Sequence, residues 1–186
     1  MNNTIIFLRH ASTQKDTNVP IEDWNVKPEV MEEVKKTANL SDFDKVDLIF
    51  TSTEKKSVQT AQPFANRLSK EIIQVADLGE IKRPDSEKLS TEDYEKIKVK
   101  IFEDFDFTTQ NWETANQALE RFKKAVEKID SENEGKTILI VAHGTVMTLY
   151  FAYLLGKLDD IFSRWKDLGF GSWGMVQNGK VVKDIV

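Results

Sequence analysis

Short apolar runs, rich in β-branched residues, recur along the chain and predict buried β-strands. They lie at residues 4–8, 46–50 and 137–142, with 71–75 as a fourth candidate. Successive apolar residues without polar alternation are typical of strands that are covered on both faces of a sheet. The pattern therefore predicts a central sheet with helices on either side of it.

The intervals between these runs show the periodicity of amphipathic helices. Helices are predicted at residues 28–40, 54–68 and 113–129. In the last stretch apolar residues recur at steps of three and four, as one buried face requires, and Gly135 supplies a stop after it. Strands that alternate with helices pair in parallel through crossover connections. The predicted fold class is therefore α/β, a three-layer α/β/α sandwich with a mostly parallel central sheet.

The end of the chain predicts an antiparallel hairpin that closes the sheet. Residues 173–177 and 181–185 are strand-like, and the sequence Asn178-Gly179-Lys180 lies between them. An Asn-Gly pair favours the tight turns that join neighbouring strands. Because the chain contains no internal repeat or low-complexity linker, we expect residues 1–186 to form a single domain.

The segment 82–111 differs from the rest of the chain. It is charged and only weakly periodic, and it carries Phe102, Phe105 and Phe107. We expect it to form a partly helical insertion over one end of the sheet, in the position of a lid. Together with residues 22–32 it is where we expect substrate specificity to lie.

Charge and composition narrow the classes of partner. The 186 residues carry a formal net charge of −5, which argues against a general affinity for nucleic acid or anionic lipid. Cysteine is absent, which excludes disulfides and thiolate metal sites. No apolar run approaches the length of a membrane span, and the first residues lack the features of a signal peptide. We expect a cytoplasmic protein that binds neither nucleic acid nor membrane; the sequence leaves its oligomeric state open.

The chain has two histidines, and each follows a predicted strand. His10 comes after Arg9 at the end of the first run, and His143 precedes Gly144 at the end of the third. Because ligands bind at the carboxyl ends of parallel strands, both imidazoles are expected at the same edge of the sheet.

The predicted strand at residues 46–50 leads through a hydroxyl-rich turn into a helix. Thr51 and Ser52 stand at the end of this strand, and Thr53 follows them. Lys55 and Lys56 come next, in the first turn of the predicted helix. A helix start offers free backbone N–H groups to an anion. One of the two lysines is expected to reach the same pocket as the histidines, and the other to lie on a solvated face.

Five short motifs follow one another along the chain. In order they are Arg9-His10-Ala11, Ser52 followed by Lys56-Ser57-Val58-Gln59-Thr60-Ala61, Leu78-Gly79-Glu80, Trp112-Glu113-Thr114 with Arg121, and Ala142-His143-Gly144-Thr145. Their order resembles the histidine phosphatase superfamily, which is phosphoglycerate-mutase-like, and within it branch 1. The resemblance spans residues 4 to 145, and five ordered motifs make it specific.

The resemblance implies hydrolysis of a phosphate monoester of a small metabolite through a phosphohistidine intermediate. His10 would be the nucleophile, with Arg9, Lys56 and His143 around the transferring phosphoryl group. Glu80 would be the general acid. An ordinary glutamate has a pKa near ~4.3 and is ionised at neutral pH, so Glu80 would need a raised pKa to act in this way.

The resemblance also implies supporting roles for further residues. Thr13, Asn18 and Gly144 are expected to add to phosphate or substrate binding. Glu113 and Arg121 are expected to be structural, Glu113 in the first turn of a helix and Arg121 paired with a neighbouring loop. Because side-chain cations neutralise the phosphoryl oxygens, the expected enzyme is a metal-independent phosphatase of the histidine acid type without a cofactor.

This chain departs from the family pattern at three places. Ala11 stands where the family has Gly, and Asp16 stands where many members have Asn, with Asn18 two residues later. Lys56 stands where the family has Arg. An ammonium retains the charge but loses the two-pronged grip of a guanidinium on phosphate. We expect weaker phosphate binding or a lower rate.

Three functions therefore stay open on the sequence alone. A phosphatase is favoured over a phosphoglycerate-type mutase because mutases are typically longer, with insertions and a tail that shield phosphohistidine from water. Ala11 and Lys56 also permit a catalytically weakened module that only binds phosphate. The sequence does not identify the substrate.

Overall fold

The structure, a computed structural model, describes residues 3–84, 89–109 and 111–186. Residues 85–88 and 110 of the predicted lid lie outside the described residues. Six strands are present: β1 (Thr4–Arg9), β2 (Leu48–Thr51), β3 (Ile72–Gln74), β4 (Thr137–Ala142), β5 (Trp173–Gln177) and β6 (Lys180–Lys183). They form one sheet in the order β3-β2-β4-β1-β5-β6.

The described residues form six α-helices. These are α1 (Met31–Ala38), α2 (Lys55–Leu68), α3 (Thr91–Glu103), α4 (Ala115–Glu132), α5 (Gly144–Leu155) and α6 (Ile161–Asp167). Short 3₁₀ helices lie at Ile21–Asp23, Pro28–Val30, Ser41–Phe43, Ala76–Leu78 and Leu158–Asp160. None of the described helices is both long and apolar enough to cross a membrane.

Strand pairing confirms the predicted α/β class with its mostly parallel sheet. Strand β4 pairs in parallel with β1 and with β2, and β2 pairs in parallel with β3. The terminal hairpin of β5 and β6 pairs antiparallel, and β5 attaches antiparallel to β1. In the turn, Asn178 and Gly179 have φ values of 52° and 74°, as the Asn-Gly pair predicts. Lys180 belongs to the strand and not to the turn.

Alternate residues of the inner strands pack into two separate cores. In β1, Ile5 and Phe7 face the core that contains helices α4 and α5, whereas Ile6 and Leu8 face the core beneath α1 and α2. All four side chains are buried. This division explains the run of uninterrupted apolar residues, and it gives the three layers that the sequence predicts.

The predicted helices are present with shifted ends. Residues 28–40 form a 3₁₀ turn followed by the shorter α1, which starts at Met31. Helix α4 starts at Ala115, where Thr114 and Gln117 form a capping box, so Glu113 precedes the helix and the placement in its first turn was wrong. Strands β2 and β3 start two residues and one residue later than predicted.

Helices α5 and α6 have no counterpart in the sequence-based prediction. Residues 144–152 of α5 are all buried, so the helix has no polar face and shows no amphipathic period. Within the segment 82–111, α3 supplies the helical part and packs against α6. That this segment acts as a lid stays a prediction.

Candidate active site

The ends of β1 and β4 bring the two histidines together. The His10 backbone N–H donates to the carbonyl of Ala142 at 2.9 Å, directly before His143. The two imidazole centroids lie 5.0 Å apart. The two histidines therefore lie at the same edge of the sheet, as the sequence predicts, and their rings are close together.

The His10 ring is held in one tautomer. Its Nδ1 lies 2.8 Å from the carbonyl of Ala11, and because a carbonyl only accepts, Nδ1 carries the proton. The Nε2 atom then has a free lone pair. Burial lowers the pKa of His10 well below its ordinary value, and the neighbouring His143, Lys56 and Arg9 lower it further against the opposing effect of Ala11. The His10 ring is thus neutral near pH 7.

His143 is completely buried, and its Nε2 faces three oxygen atoms. The Oγ atoms of Ser52 and Ser57 lie at 2.7 Å and 3.2 Å, and Oε1 of Glu54 lies at 3.1 Å. Burial lowers the pKa of His143 to about 3, with further lowering by Lys56 and Arg9, despite the opposing charge of Glu80. A neutral ring can therefore donate one hydrogen bond from Nε2 at this point.

Arg9 is fixed by its surroundings. Its guanidinium lies 4.0 Å from the centroid of the Phe170 ring and donates to the carbonyl of Leu168. Phe170 also packs on His10, with ring centroids 5.5 Å apart. Gly144 lies close to Arg9, because a Cβ atom at position 144 would be 3.1 Å from three atoms of the Arg9 guanidinium group. The glycine therefore leaves room for the arginine.

Of the two lysines at the start of α2, Lys56 faces the site. It is 5% exposed, whereas Lys55 lies in solvent. The Lys56 ammonium donates to the carbonyl of Ile21 at 3.0 Å and forms an ion pair with Glu54. The family Arg position thus retains a buried cation, but a carboxylate of the chain itself is bound to it.

Glu80 lies beside His143 in an ionised state. Its carboxylate accepts from the backbone N–H groups of Ile81 at 2.9 Å and Thr145 at 3.0 Å. Burial acts to raise the pKa of Glu80, but Lys98, His143 and these two donors outweigh it and lower the pKa to about 2. Burial within the protein therefore does not give Glu80 the raised pKa that the role of general acid requires.

Arg121 and Glu113 support the Glu80 loop from behind. Arg121 donates from Nε and Nη2 to Glu113 at 2.8 Å and 2.7 Å, and it also donates to the carbonyls of Asp77, Gly79 and Glu80. The expected pairing of Arg121 with a neighbouring loop is confirmed. Glu113 anchors that arginine and accepts from the backbone of Lys82.

Two of the predicted binding residues lie on the loop after β1. Thr13 is half-buried and forms an isolated β-bridge with Val26. Asn18 is exposed, and its backbone N–H donates to the Asp16 carboxylate at 2.9 Å. Within the described residues, no hydrogen bond or ring contact links Asn18 to either histidine. The roles of both residues in binding stay predictions.

Sequence reasoning missed two charged residues at this site. No sequence pattern distinguishes Glu54 from its neighbours. Only its position between Ser52 and Lys56 could have identified it as a residue of the site. Lys98 is fully buried on α3 and donates to Thr145 Oγ1 at 2.7 Å. Burial lowers the pKa of Lys98 to about 8, although Glu80 acts to raise it. One lysine among many on a charged helix gives no signal in the sequence.

A pocket of about 360 Å³ opens beside the His10 loop, lined by Ala11, Ser12 and Phe170 together with side chains of α1 and α2. Neither histidine lines it. His10 is 7% exposed and His143 is not exposed at all, so the site between the rings is closed by the side chains of the chain itself. Across the described residues, no group of three or more His, Asp or Glu side chains is placed to hold a metal ion.

Comparison with solved structures shows a shared fold. YhfR of Bacillus stearothermophilus superposes with a TM-score of 0.78 at 22% identity, covering 97% of this chain and 95% of that one. A phosphoserine phosphatase variant of Entamoeba histolytica, in complex with phosphoserine, gives 0.77 at 20%, covering 97% and 94%. The mycobacterial glucosyl-3-phosphoglycerate phosphatase gives 0.73 at 18%, covering 92% and 88%.

Comparison at the level of sequence gives a family. No curated protein sequence matches the chain. The family model of the histidine phosphatase superfamily (branch 1) matches residues 5–173, which contain both strand-end histidines and the motifs between them. This chain therefore belongs to the histidine phosphatase superfamily, branch 1.

Proposed function

We propose that this protein hydrolyses phosphate monoesters of small metabolites through a phosphohistidine intermediate on His10. One observation carries the proposal: two neutral, buried imidazoles lie 5.0 Å apart, and the cations of Arg9 and Lys56 both act on them. Phosphoryl transfer requires positioning and neutralisation of the phosphate oxygens above all. A neutral nucleophile with cations around it meets both requirements.

The first step transfers the phosphoryl group to His10. The Nε2 lone pair attacks phosphorus, the bond from phosphorus to the ester oxygen breaks, and Glu80 gives a proton to the departing oxygen. Glu80 is ionised without substrate, so it takes this proton from a monoprotonated ester as it binds. The negative charge of the bound ester raises the pKa of Glu80 and makes that transfer favourable.

The second step hydrolyses the intermediate. Glu80, ionised again, takes a proton from a water molecule whose oxygen attacks phosphorus, and the bond from phosphorus to His10 Nε2 breaks. Inorganic phosphate leaves, Glu80 releases its proton to the departing phosphate, and His10 returns to its neutral form. Proton transfer of this kind contributes roughly 10²–10⁴-fold to a rate. The low pKa of Glu80 keeps the carboxylate ionised, which is the form that can accept a proton in this step.

Similar structures favour a small phosphorylated acid as substrate. The phosphoserine phosphatase of Entamoeba histolytica holds phosphoserine in one structure and 3-phosphoglyceric acid in another. We propose that this chain acts on metabolites of that size and charge, in the cytoplasm, without a metal and without binding nucleic acid. The absence of cysteine supports the location in the cytoplasm, and the net charge of −5 argues against binding to nucleic acid.

An assay of phosphate release from a panel of sugar, amino-acid and aryl phosphates tests the proposal. With EDTA present, the wild type is expected to release inorganic phosphate from at least one ester, and His10→Ala is expected to release none. Turnover that requires a metal ion would contradict the metal-independent mechanism. Isomerised phosphoglycerate without free phosphate would identify a mutase, and phosphate binding without any turnover would identify a binding module.

A further inference from the structure

We propose that Glu54 is an internal anion, one that occupies the place of the substrate phosphoryl group and competes with it. The inference rests on the proposed function, because it takes the pocket of His143 and Lys56 as a phosphate site. Glu54 thereby sets the affinity of the pocket: it weakens the binding of the phosphoryl group and promotes release of the phosphate product.

The contacts of Glu54 are those that a phosphoryl group would make. Its Oε1 lies 3.1 Å from Nε2 of His143 and accepts from the backbone N–H of Glu80 at 2.9 Å. Its Oε2 forms an ion pair with the ammonium of Lys56. One carboxylate thus uses a ring donor, a backbone donor and a cation, all groups that bind anions.

The position of Glu54 in the fold explains how it reaches these groups. It is the residue directly before α2, where side chains often cap the helix, yet its carboxylate accepts no capping hydrogen bond from the backbone of that helix. The side chain points instead across the end of the sheet and is only 15% exposed. A carboxylate near the start of a 14-residue helix also benefits from the helix dipole, as a phosphate would.

Two anions cannot share these donors. A phosphoryl group that approaches His143 and Lys56 must displace the Glu54 carboxylate into solvent, so part of its binding free energy is used in that displacement. This displacement costs inorganic phosphate and the phosphoryl group of an ester the same free energy. An ester gains contacts through its leaving group, and weak binding of the phosphate product also promotes its release.

Calorimetric titration with inorganic phosphate at pH 7.5 tests the proposal directly. Glu54→Gln retains the shape of the side chain but removes its charge, and we expect its Kd for phosphate to fall by about tenfold or more relative to wild type. Glu71→Gln removes the same charge from an exposed position outside the site, and its Kd is expected to equal that of wild type. An unchanged or higher Kd in Glu54→Gln, or an equal fall in Glu71→Gln, would overturn the proposal.

A second variant protects the test against loss of folding. Glu54→Asp retains the charge but withdraws the carboxylate by one methylene group, and its Kd is expected to lie between those of wild type and Glu54→Gln. A Kd for Glu54→Asp at or above the wild-type value would count against competition for the same donors.

Turnover separates this proposal from the proposed function. A fall of a hundredfold or more in kcat of Glu54→Gln with an unchanged Kd for phosphate would make Glu54 part of the catalytic chemistry and overturn its role as competitor. If none of these proteins hydrolyses any ester, the proposed function is wrong, whereas the phosphate titration still decides the role of Glu54.

Discussion

At the residue scale, burial decides which atoms of the site can react. His10 loses its proton because a buried cation is costly beside Arg9, Lys56 and a second imidazole, and the Ala11 carbonyl then fixes the remaining proton on Nδ1. The sequence correctly placed both histidines at one edge. It could not predict how strongly their pKa values are lowered, because that depends on groups that are distant along the chain.

Lys56→Arg tests the departure from the family pattern. A guanidinium can grip two phosphate oxygens, so kcat/KM is expected to rise by roughly tenfold, the effect of one additional charge-assisted hydrogen bond. The rise is expected to be larger in the Glu54→Gln background, where no carboxylate holds the new guanidinium. Lys55→Arg, at the exposed neighbouring position, is the control in steady-state assays. Equal or lower kcat/KM in both backgrounds would contradict this interpretation of Lys56.

Gly144→Ala tests how tightly Arg9 is positioned. The added methyl would lie 3.1 Å from the guanidinium of Arg9, which is fixed between Phe170 and the Leu168 carbonyl. We expect kcat/KM to fall by about tenfold through misplacement of Arg9, while the free energy of unfolding changes by less than ~1 kcal/mol. Urea denaturation beside kinetic assays checks both numbers. Full activity would show that Arg9 can move without consequence.

At the element scale, each strand end delivers a different group to the site. Strand β1 leads to His10, β2 leads to Ser52 and α2, and β4 leads to His143 and α5, so the parallel pairing of these strands assembles the pocket. Helix α3 adds Lys98 from the predicted lid, 5.2 Å from the centroid of Tyr94. The insertion therefore contributes a charge to the site.

Lys98→Met tests this contribution of α3. The variant replaces a fully buried ammonium by an apolar side chain of similar length, so Glu80 loses the cation that contributes most to lowering its pKa. The pKa of Glu80 is expected to rise from about 2 towards or above the ordinary value of a glutamate. A ¹³C NMR titration of the Glu80 carboxyl measures it. A pKa that stays at the wild-type value would show that Lys98 does not act on Glu80.

The elements that the sequence missed share a physical cause. Helix α5 is buried on all sides, so its apolar residues carry no period from which a helix can be identified. Lys98 and Glu54 lie in charged stretches where one buried residue resembles its exposed neighbours. The strands, the hairpin and both histidines were predictable because a sheet covered on two faces leaves apolar runs, with polar residues only at their ends.

At the scale of the whole molecule, the two buried histidines link stability to pH. The pKa of His143 is about 3 in the folded protein, and that of His10 is also lowered, whereas an unfolded histidine has a pKa near ~6.5. Below that value the unfolded chain binds more protons than the folded one. The stabilisation is therefore complete above pH ~6.5 and is lost as the pH falls.

Urea denaturation at pH 7.5 and pH 5.0 measures this linkage. We expect the free energy of unfolding to fall by about 2 kcal/mol through His143, because each proton that the unfolded chain binds contributes about 1.4 kcal/mol per pH unit below pH ~6.5. His10, whose pKa is also lowered, is expected to add to this decrease. His10→Asn removes one of the two groups and is expected to show a smaller decrease than the wild type. A free energy of unfolding that is independent of pH across this interval would contradict the buried, neutral state of both rings.

The proposed mechanism depends most on His10 as the nucleophile that attacks phosphorus. The protein is mixed rapidly with an ester that it hydrolyses, and the reaction is quenched in alkali. Mass spectrometry of the peptides then locates the phosphoryl group. The expected result is a phosphoryl group on the peptide that contains His10, and none on the corresponding peptide of His10→Ala. A phosphoryl group on any other residue, or an ester turned over at the wild-type rate by His10→Ala, would contradict the mechanism.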